Sequence, residues 1–207
     1  MRSTWFVFGW VVLALPMAGC AGPMENHQAP ALTNAIVFVI RHAEKPDDGD
    51  GLTAAGELRA NRYTNFFNQI AINGKTMRID HVFAAADSRE SHRPRLTVEP
   101  TARMLGLAVD TRFKNKAFQK LADEVRSGAD GKAILVAWHH GEIPSLLQAL
   151  GAQPAQLLPK GKWPDAVFDW VIILRYDEDG KVDAQRFSMD FMPTAPGKPA
   201  SATPDAK

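Results

Sequence analysis

Apolar and polar positions change their period several times along the chain, and each change predicts an element. Ile36-Val37-Phe38-Val39-Ile40 is a short, continuous, largely β-branched run, the pattern of a strand buried on both faces. From Thr53 to Ile72 the spacing becomes helical, with Tyr63, Phe66, Phe67 and Ile70 on one side and Asn73-Gly74 as the stop. His81 to Ala85 reads as a second strand. Arg95 to Leu105 reads as a helix closed by Gly106, and Phe118, Leu121, Ala122 and Val125 mark another, closed by Gly128. Ala133 to His139 predicts a strand and Glu142 to Leu150 a helix. Residues 168–176 and 182–189 read as a late strand pair around the turn Asp177-Glu178-Asp179-Gly180. Strands interleaved with helices predict a three-layer α/β/α sandwich with a mostly parallel central sheet. Ligands of such sheets bind beyond the C-terminal strand ends. The residues after Ile40, Ala85 and Trp138 are therefore the ones to inspect.

The N-terminus follows another pattern. Arg2 precedes an apolar run of about eleven residues, Trp5 to Leu15. A bilayer span needs roughly 20 residues, so the run suits a signal-peptide core instead. Met17-Ala18-Gly19-Cys20 resembles the lipobox of bacterial lipoproteins, with Met17 where leucine is commoner. That resemblance implies removal of residues 1–19 and acylation of Cys20. The plainer alternative is an uncleaved anchor with an incidental cysteine. Residues 20–34 are Pro/Ala-rich and polar and read as a tether; residues 193–207, with four prolines, read as a disordered tail. This leaves residues 35–192 as the folded domain. Ala21-Gly22 lacks the aspartate that would resemble an inner-membrane retention signal. The expectation is thus an exported protein facing the periplasm from the outer membrane.

Composition narrows the classes further. Among 207 residues, 45% are apolar and 23% charged, which excludes disorder of the whole chain, and the lone apolar run excludes a polytopic membrane protein. Lys+Arg is 24 against 23 Asp+Glu. Without Arg2 the mature chain is formally neutral, so nothing recruits nucleic acid. A single cysteine excludes an internal disulfide framework and a cysteine zinc cluster.

The three strand ends carry related chemistry. Arg41-His42-Ala43-Glu44-Lys45 follows the first, Ala86-Asp87-Ser88-Arg89-Glu90-Ser91-His92-Arg93 the second, and His139-His140-Gly141-Glu142-Ile143-Pro144 the third. Guanidinium forks match tetrahedral oxyanions bidentately, and a histidine of near-neutral pKa can act as nucleophile or acid/base. Together they suit phosphoryl transfer through a phosphohistidine, with arginines in place of a metal.

Four motifs in order resemble the histidine phosphatase (phosphoglycerate mutase-like) superfamily. They are Arg41-His42-Ala43 for the family's Arg-His-Gly, Leu52-Thr53-Ala54-Ala55-Gly56 for Leu-Thr-x-x-Gly, Arg93 four residues before Thr97, and His139 with Ile143-Pro144 beyond it. The resemblance spans roughly residues 35–190 and implies the phosphoglycerate mutase-like fold. It implies His42 as the nucleophile, Arg41 and Arg93 as the clamp on the phosphoryl oxygens, and His139 as a hydrogen-bond donor in the transition state. It implies no cofactor and no metal. Ala43 departs from the family's glycine and is tolerable only at negative φ.

Other positions compete. Strand alternation would turn His139 and His140 to opposite faces, which argues against a metal pair and selects His139. Arg89 and Arg95 rival Arg93, and the spacing to Thr97 decides. Glu142 is the candidate general acid, or else a helix-capping acid, with Asp87 and Glu44 behind it. Lys45 is a candidate for a second anionic group of the substrate, and Ser88 is counted with it as a substrate contact. The expected function is hydrolysis of phosphomonoesters, or of phosphohistidine, by a lipid-anchored enzyme; an envelope sugar phosphate is one candidate substrate. The alternative is a phosphate-binding module that has lost turnover.

Overall fold

The computed structural model describes residues 32–68, 70–72 and 75–189. The expected signal peptide, Cys20, most of the tether and the C-terminal tail lie outside the described residues, as does the Asn73-Gly74 stop. Six strands form one sheet in the order β5-β4-β6-β1-β7-β8: β1 Ile36–Arg41, β4 His81–Ala84, β5 Val109–Asp110, β6 Ala133–Trp138, β7 Trp170–Tyr176 and β8 Val182–Ser188. The β4–β5, β4–β6 and β1–β6 pairings are parallel, and β7 runs antiparallel to both β1 and β8. A small hairpin, β2 Ile70–Ile72 with β3 Lys75–Met77, stands apart.

Side-chain alternation splits the sheet into two faces. Val37, Val39, Ile134, Val136, Ile172 and Leu174 pack under α3 (Phe118–Gly128), α4 (Ile143–Ala149) and the short α5 (Pro154–Leu157). Phe38, Ile40, Leu135, Ala137, Val171 and Ile173 pack under α1 (Ala54–Asn68) and α2 (Arg93–Leu105). Helices on both faces make the three-layer sandwich of the phosphoglycerate mutase-like class. The runs that read as buried on both sides are so: every residue of β6 is buried.

Most sequence-predicted elements appear within a residue or two. The first helix is the exception. It stops at Asn68, and Ile70 to Ile72 turn into β2. Ile70 is buried beside Phe38, Tyr63 and Phe67, so it satisfied the helical spacing while belonging to a strand. Leu32 to Asn34, expected in the tether, are docked instead. Leu32 is buried in the core, the Thr33 N–H donates to Asp130 Oδ1 at 2.8 Å, and the Asn34 N–H to the Asp177 carbonyl at 3.0 Å.

The Leu-Thr-x-x-Gly element starts α1 and ties it to the loop after β1. The Thr53 hydroxyl accepts the Gly56 N–H at 3.1 Å, an N-cap bond, and the Thr53 N–H donates to the Glu44 carbonyl at 3.0 Å. A Cβ on Gly56 would lie 2.5 Å from that same Glu44 carbonyl, so only glycine lets helix and loop approach this closely. Gly56→Ala should destabilise the domain by about 1–3 kcal/mol, because both clashing partners are backbone. Gly128→Ala meets nothing within 4 Å at the end of α3 and should stabilise by about 0.4–1 kcal/mol through the unfolded chain. Urea unfolding of the two variants checks both signs; equal stabilities would overturn the Gly56 contact.

Candidate active site

Strand pairing brings the first and last motifs together. β1 and β6 run in parallel with Arg41 beside Trp138, and the His42 N–H donates to the Trp138 carbonyl at 3.0 Å. His42 and His139 therefore leave the sheet side by side, with ring centroids 5.2 Å apart and planes at 67°. The strand ends at Trp138, so His139 and His140 lie beyond it and alternation no longer separates them. His140 also faces His42, with centroids 6.3 Å apart. That part of the sequence argument fails. The His140 ring is spoken for on one side, its Nε2 lying 2.9 Å from Asp165 Oδ1. Among the described residues no group of three His, Cys, Asp or Glu side chains is placed to hold a metal.

The third motif enters through Thr97. Its hydroxyl donates to the Arg93 carbonyl at 2.7 Å, one helical turn back, and accepts the Ala43 N–H at 2.8 Å. The four-residue spacing thus lets one buried hydroxyl join the start of α2 to the loop that carries His42. Ala43 is fully buried and keeps a negative φ, so its methyl costs no backbone strain.

The His42 ring is 2% exposed. Its Nδ1 lies 2.7 Å from the Ala43 carbonyl. A carbonyl can only accept, so the bond fixes the proton on Nδ1 and leaves the lone pair on Nε2. Burial lowers the His42 pKa to about 3, with the His139, Arg41 and Arg93 charges adding and the Ala43 bond opposing. Burial, then Arg93, His140 and Arg41, lowers His139 to about 4. Burial and Arg41 also lower His140 against the pull of Asp165. Neutral imidazoles at physiological pH follow.

Arg41 is 1% exposed. Its Nη1 donates to the carbonyls of Asp165 at 2.7 Å, Val167 at 2.9 Å and Pro164 at 3.2 Å, and its guanidinium lies 3.8 Å over the Phe168 ring. One end of the fork is therefore committed to the chain, and Arg41 can serve an anion only through what remains. Burial lowers its pKa to about 10, partly offset by Asp165 and Glu44. Arg93 donates from Nη1 to the Gly49 carbonyl at 3.2 Å. It lines a cleft of about 700 Å³ with His139, Asp87, Ser88 and Glu90.

The remaining candidates sort by their partners. Glu44 forms a forked pair with Arg59, with contacts of 2.6 to 3.0 Å. Asp87 receives Arg95 at 2.8 Å, and Arg95 also holds Glu99 at 2.9 Å. This removes Arg95 as a rival of Arg93. Glu142 is the N-cap residue of α4 without a side-chain cap bond; it is not among the side chains that line the cleft. Lys45 is exposed and does not line the cleft either, whereas Ser88 does. The sequence reading missed Glu90, Lys114, Asn115 and Lys116, all on the cleft wall. The signal available for the last three was the basic run before α3, which carries no periodicity.

No protein-family profile matches this chain, and no curated protein matches it. Solved structures do. The phosphoglycerate mutase of Plasmodium falciparum is 19% identical, with 78% of this chain and 97% of that one covered at a TM-score of 0.50. An Escherichia coli protein provisionally assigned as an alpha-ribazole-5'-P phosphatase is 12% identical, with 78% and 99% covered at 0.51. An Agrobacterium tumefaciens protein provisionally assigned as a phosphohistidine phosphatase is 16% identical, with 78% and 99% covered at 0.46. The likeness to the first two shows a phosphoglycerate mutase-like fold, the fold that the resemblance of the four motifs implied.

The depressed histidines make stability depend on pH. The unfolded chain protonates these rings near pH 6.5, but the folded one takes up protons on His42 and His139 only near 3 and 4. Below about pH 6.5 the unfolded state therefore binds more protons, and stability should fall as pH drops toward 4. In His42→Gln the fall should be shallower. Urea midpoints across that range check this; a wild-type midpoint that stays level or rises on acidification would overturn the buried neutral assignment.

Proposed function

We propose that this chain is a phosphatase that hydrolyses phosphomonoesters through a phosphohistidine on His42. The observation that carries the reading is His42 itself, a neutral ring with its lone pair fixed on Nε2, under two guanidiniums and beside a second imidazole. Nε2 attacks phosphorus, the N–P bond forms and the P–O bond to the leaving group breaks. The Nδ1 proton stays on the bond to Ala43, whose carbonyl supports the cationic phosphoimidazole. Arg93 and the uncommitted part of Arg41 take up the charge of the equatorial oxygens, and His139 donates to one of them. The leaving oxygen needs a proton. Glu142 was the sequence candidate; Glu90, the cleft carboxylate without an ion-pair partner among the described residues, is the better-placed donor. Water then attacks phosphorus and gives its proton to the carboxylate that protonated the leaving oxygen, the N–P bond breaks, and Nε2 recovers its lone pair as phosphate leaves.

In this proposal the enzyme is exported and lipid-anchored at Cys20. Among the described residues no helix is long and apolar enough to cross a membrane, and the mature chain is formally neutral. The acyl chains would therefore hold the domain where charge could not. Substrates at the envelope surface, sugar phosphates among them, fit this location.

His42→Ala should lower turnover of an aryl phosphate, assayed with EDTA present, by several orders of magnitude. The wild type should yield an acid-labile, alkali-stable phosphoprotein that the variant lacks. More than about a tenth of wild-type turnover in His42→Ala would overturn the mechanism; no wild-type turnover at all would favour the binding module. Arg93→Lys keeps the charge and loses the fork, and kcat/KM should drop sharply with stability nearly unchanged.

Cys20→Ser should abolish acylation and shift the domain out of the membrane pellet, or leave the precursor unprocessed. A Cys20→Ser domain that is processed and still pellets after a high-salt wash would overturn the lipid anchor.

A further inference from the structure

Cleft and substrate size do not match if phosphate is the only group recognised. A cleft of about 700 Å³ exceeds a phosphoryl group several times over. Its His139 and Arg93 end handles the phosphoryl group in the reading above. Another part of the lining is the segment between β5 and α3, which contributes Lys114, Asn115 and Lys116. Asn115 to Ala117 form one 3₁₀ turn there.

That wall is held in place rather than left loose. The Ala86 N–H donates to the Phe113 carbonyl at 2.8 Å, the buried Trp138 indole N–H to the Asn115 carbonyl at 3.0 Å, and the Ala117 N–H to the Lys114 carbonyl at 2.7 Å. Trp138 and Ala86 belong to the two strand ends that carry the site, so the wall's position is tied to that of His139.

The charges on it are unspent. Lys114 and Lys116 are exposed, and among the described residues neither has an ion-pair or hydrogen-bond partner for its ammonium. The Asn115 Oδ1 is buried without a partner. The cleft's carboxylates do not cancel the lysines. Asp87 is neutralised by Arg95 at 2.8 Å, and Glu90 is one charge against Lys114, Lys116 and Arg93. Arg112, on the same segment, is spent in contrast, holding Asp110 and Glu124.

We propose that Lys114 and Lys116 form a second anion subsite, so that the preferred substrates are phosphomonoesters whose organic part carries a further carboxylate or phosphate. Resting on the phosphatase reading, this narrows it: the second-anion role expected of Lys45, which is not among the residues lining this cleft, passes in this proposal to Lys114 and Lys116. Specificity then comes from the charges of Lys114 and Lys116 and chemistry from the groups around His42 and His139.

The test compares phenyl phosphate with 4-carboxyphenyl phosphate, which differ by one carboxylate. Wild type should favour the second by about tenfold in kcat/KM, mostly through KM, as expected for two partly exposed charge contacts. The preference should shrink as salt rises. In Lys114→Gln/Lys116→Gln the loss on 4-carboxyphenyl phosphate should exceed that on phenyl phosphate by the same factor. The matching phosphonates, which cannot turn over, are titrated by calorimetry in parallel, so binding is read whether or not catalysis occurs. A tenfold phosphonate preference without turnover of either ester would sink the phosphatase reading and keep the subsite. Turnover without preference, equal loss on both substrates, or no binding of either phosphonate would overturn the subsite.

Discussion

A guanidinium buried at the end of the central strand conditions everything around it. Arg41 is 1% exposed, and a cation taken out of water must be solvated by the chain or destabilise it. The chain supplies three carbonyls from residues 164–167 and the face of Phe168. That requirement fixes a stretch with little regular structure, which Trp163 steadies by donating its indole N–H to the same Val167 carbonyl at 2.8 Å. It also places a buried positive charge, only partly offset by Asp165 and Glu44, near three imidazoles. Burial is the larger cause of their depressed pKa values, and Arg41 adds to it in each case. The interaction that orders the loop therefore also adds to the burial that keeps His42 unprotonated.

Geometry reaches the site through two further links. Parallel pairing of β1 with β6 aligns Arg41 with Trp138, which brings two distant stretches of sequence to one rim. Thr97 then closes the third side, since its hydroxyl serves the Ala43 N–H and the Arg93 carbonyl together. Helix α2 could not shift along the sheet without orphaning a buried N–H, at a cost of about 1–3 kcal/mol. The loop that carries His42 and the start of α2 with Arg93 are thus held in register by one side chain.

Much of this was legible in the sequence because the signals were local. Continuous apolar runs marked β1 and β6, and the Leu-Thr-x-x-Gly spacing encoded a cap at Thr53 and a close approach at Gly56. What escaped had no local signature. The β2–β3 hairpin hid behind Ile70, whose burial served two periodicities. The two-residue β5 is too short to show alternation. His140 was misjudged because strand logic was carried one residue past the point where the strand stops. The Lys114–Lys116 wall depends on bonds from Trp138 and Ala86, and such long-range partners leave no spacing to read. The roles of Lys45 and Glu142 rested on nearness in sequence to His42 and His139, which does not specify the side of the rim.

The distribution of unsatisfied groups points the same way as the motifs. Folded chains pair nearly all buried polar atoms, so an orphan asks for a reason. Among the described residues six buried side-chain atoms lack a partner, and four of them belong to Arg41, Arg93, His140 and Asn115. Three carry hydrogen-bond donors or proton-accepting rings at the phosphoryl end, and the fourth sits on the cleft wall. Random packing error would scatter such atoms through the core. Their concentration around one anion-sized, positively charged rim means that the free protein holds polar capacity its own chain does not use. A tetrahedral dianion offers acceptors in several directions at once and can engage part of that capacity. Leaving those atoms unpaired gives up some stability at the rim.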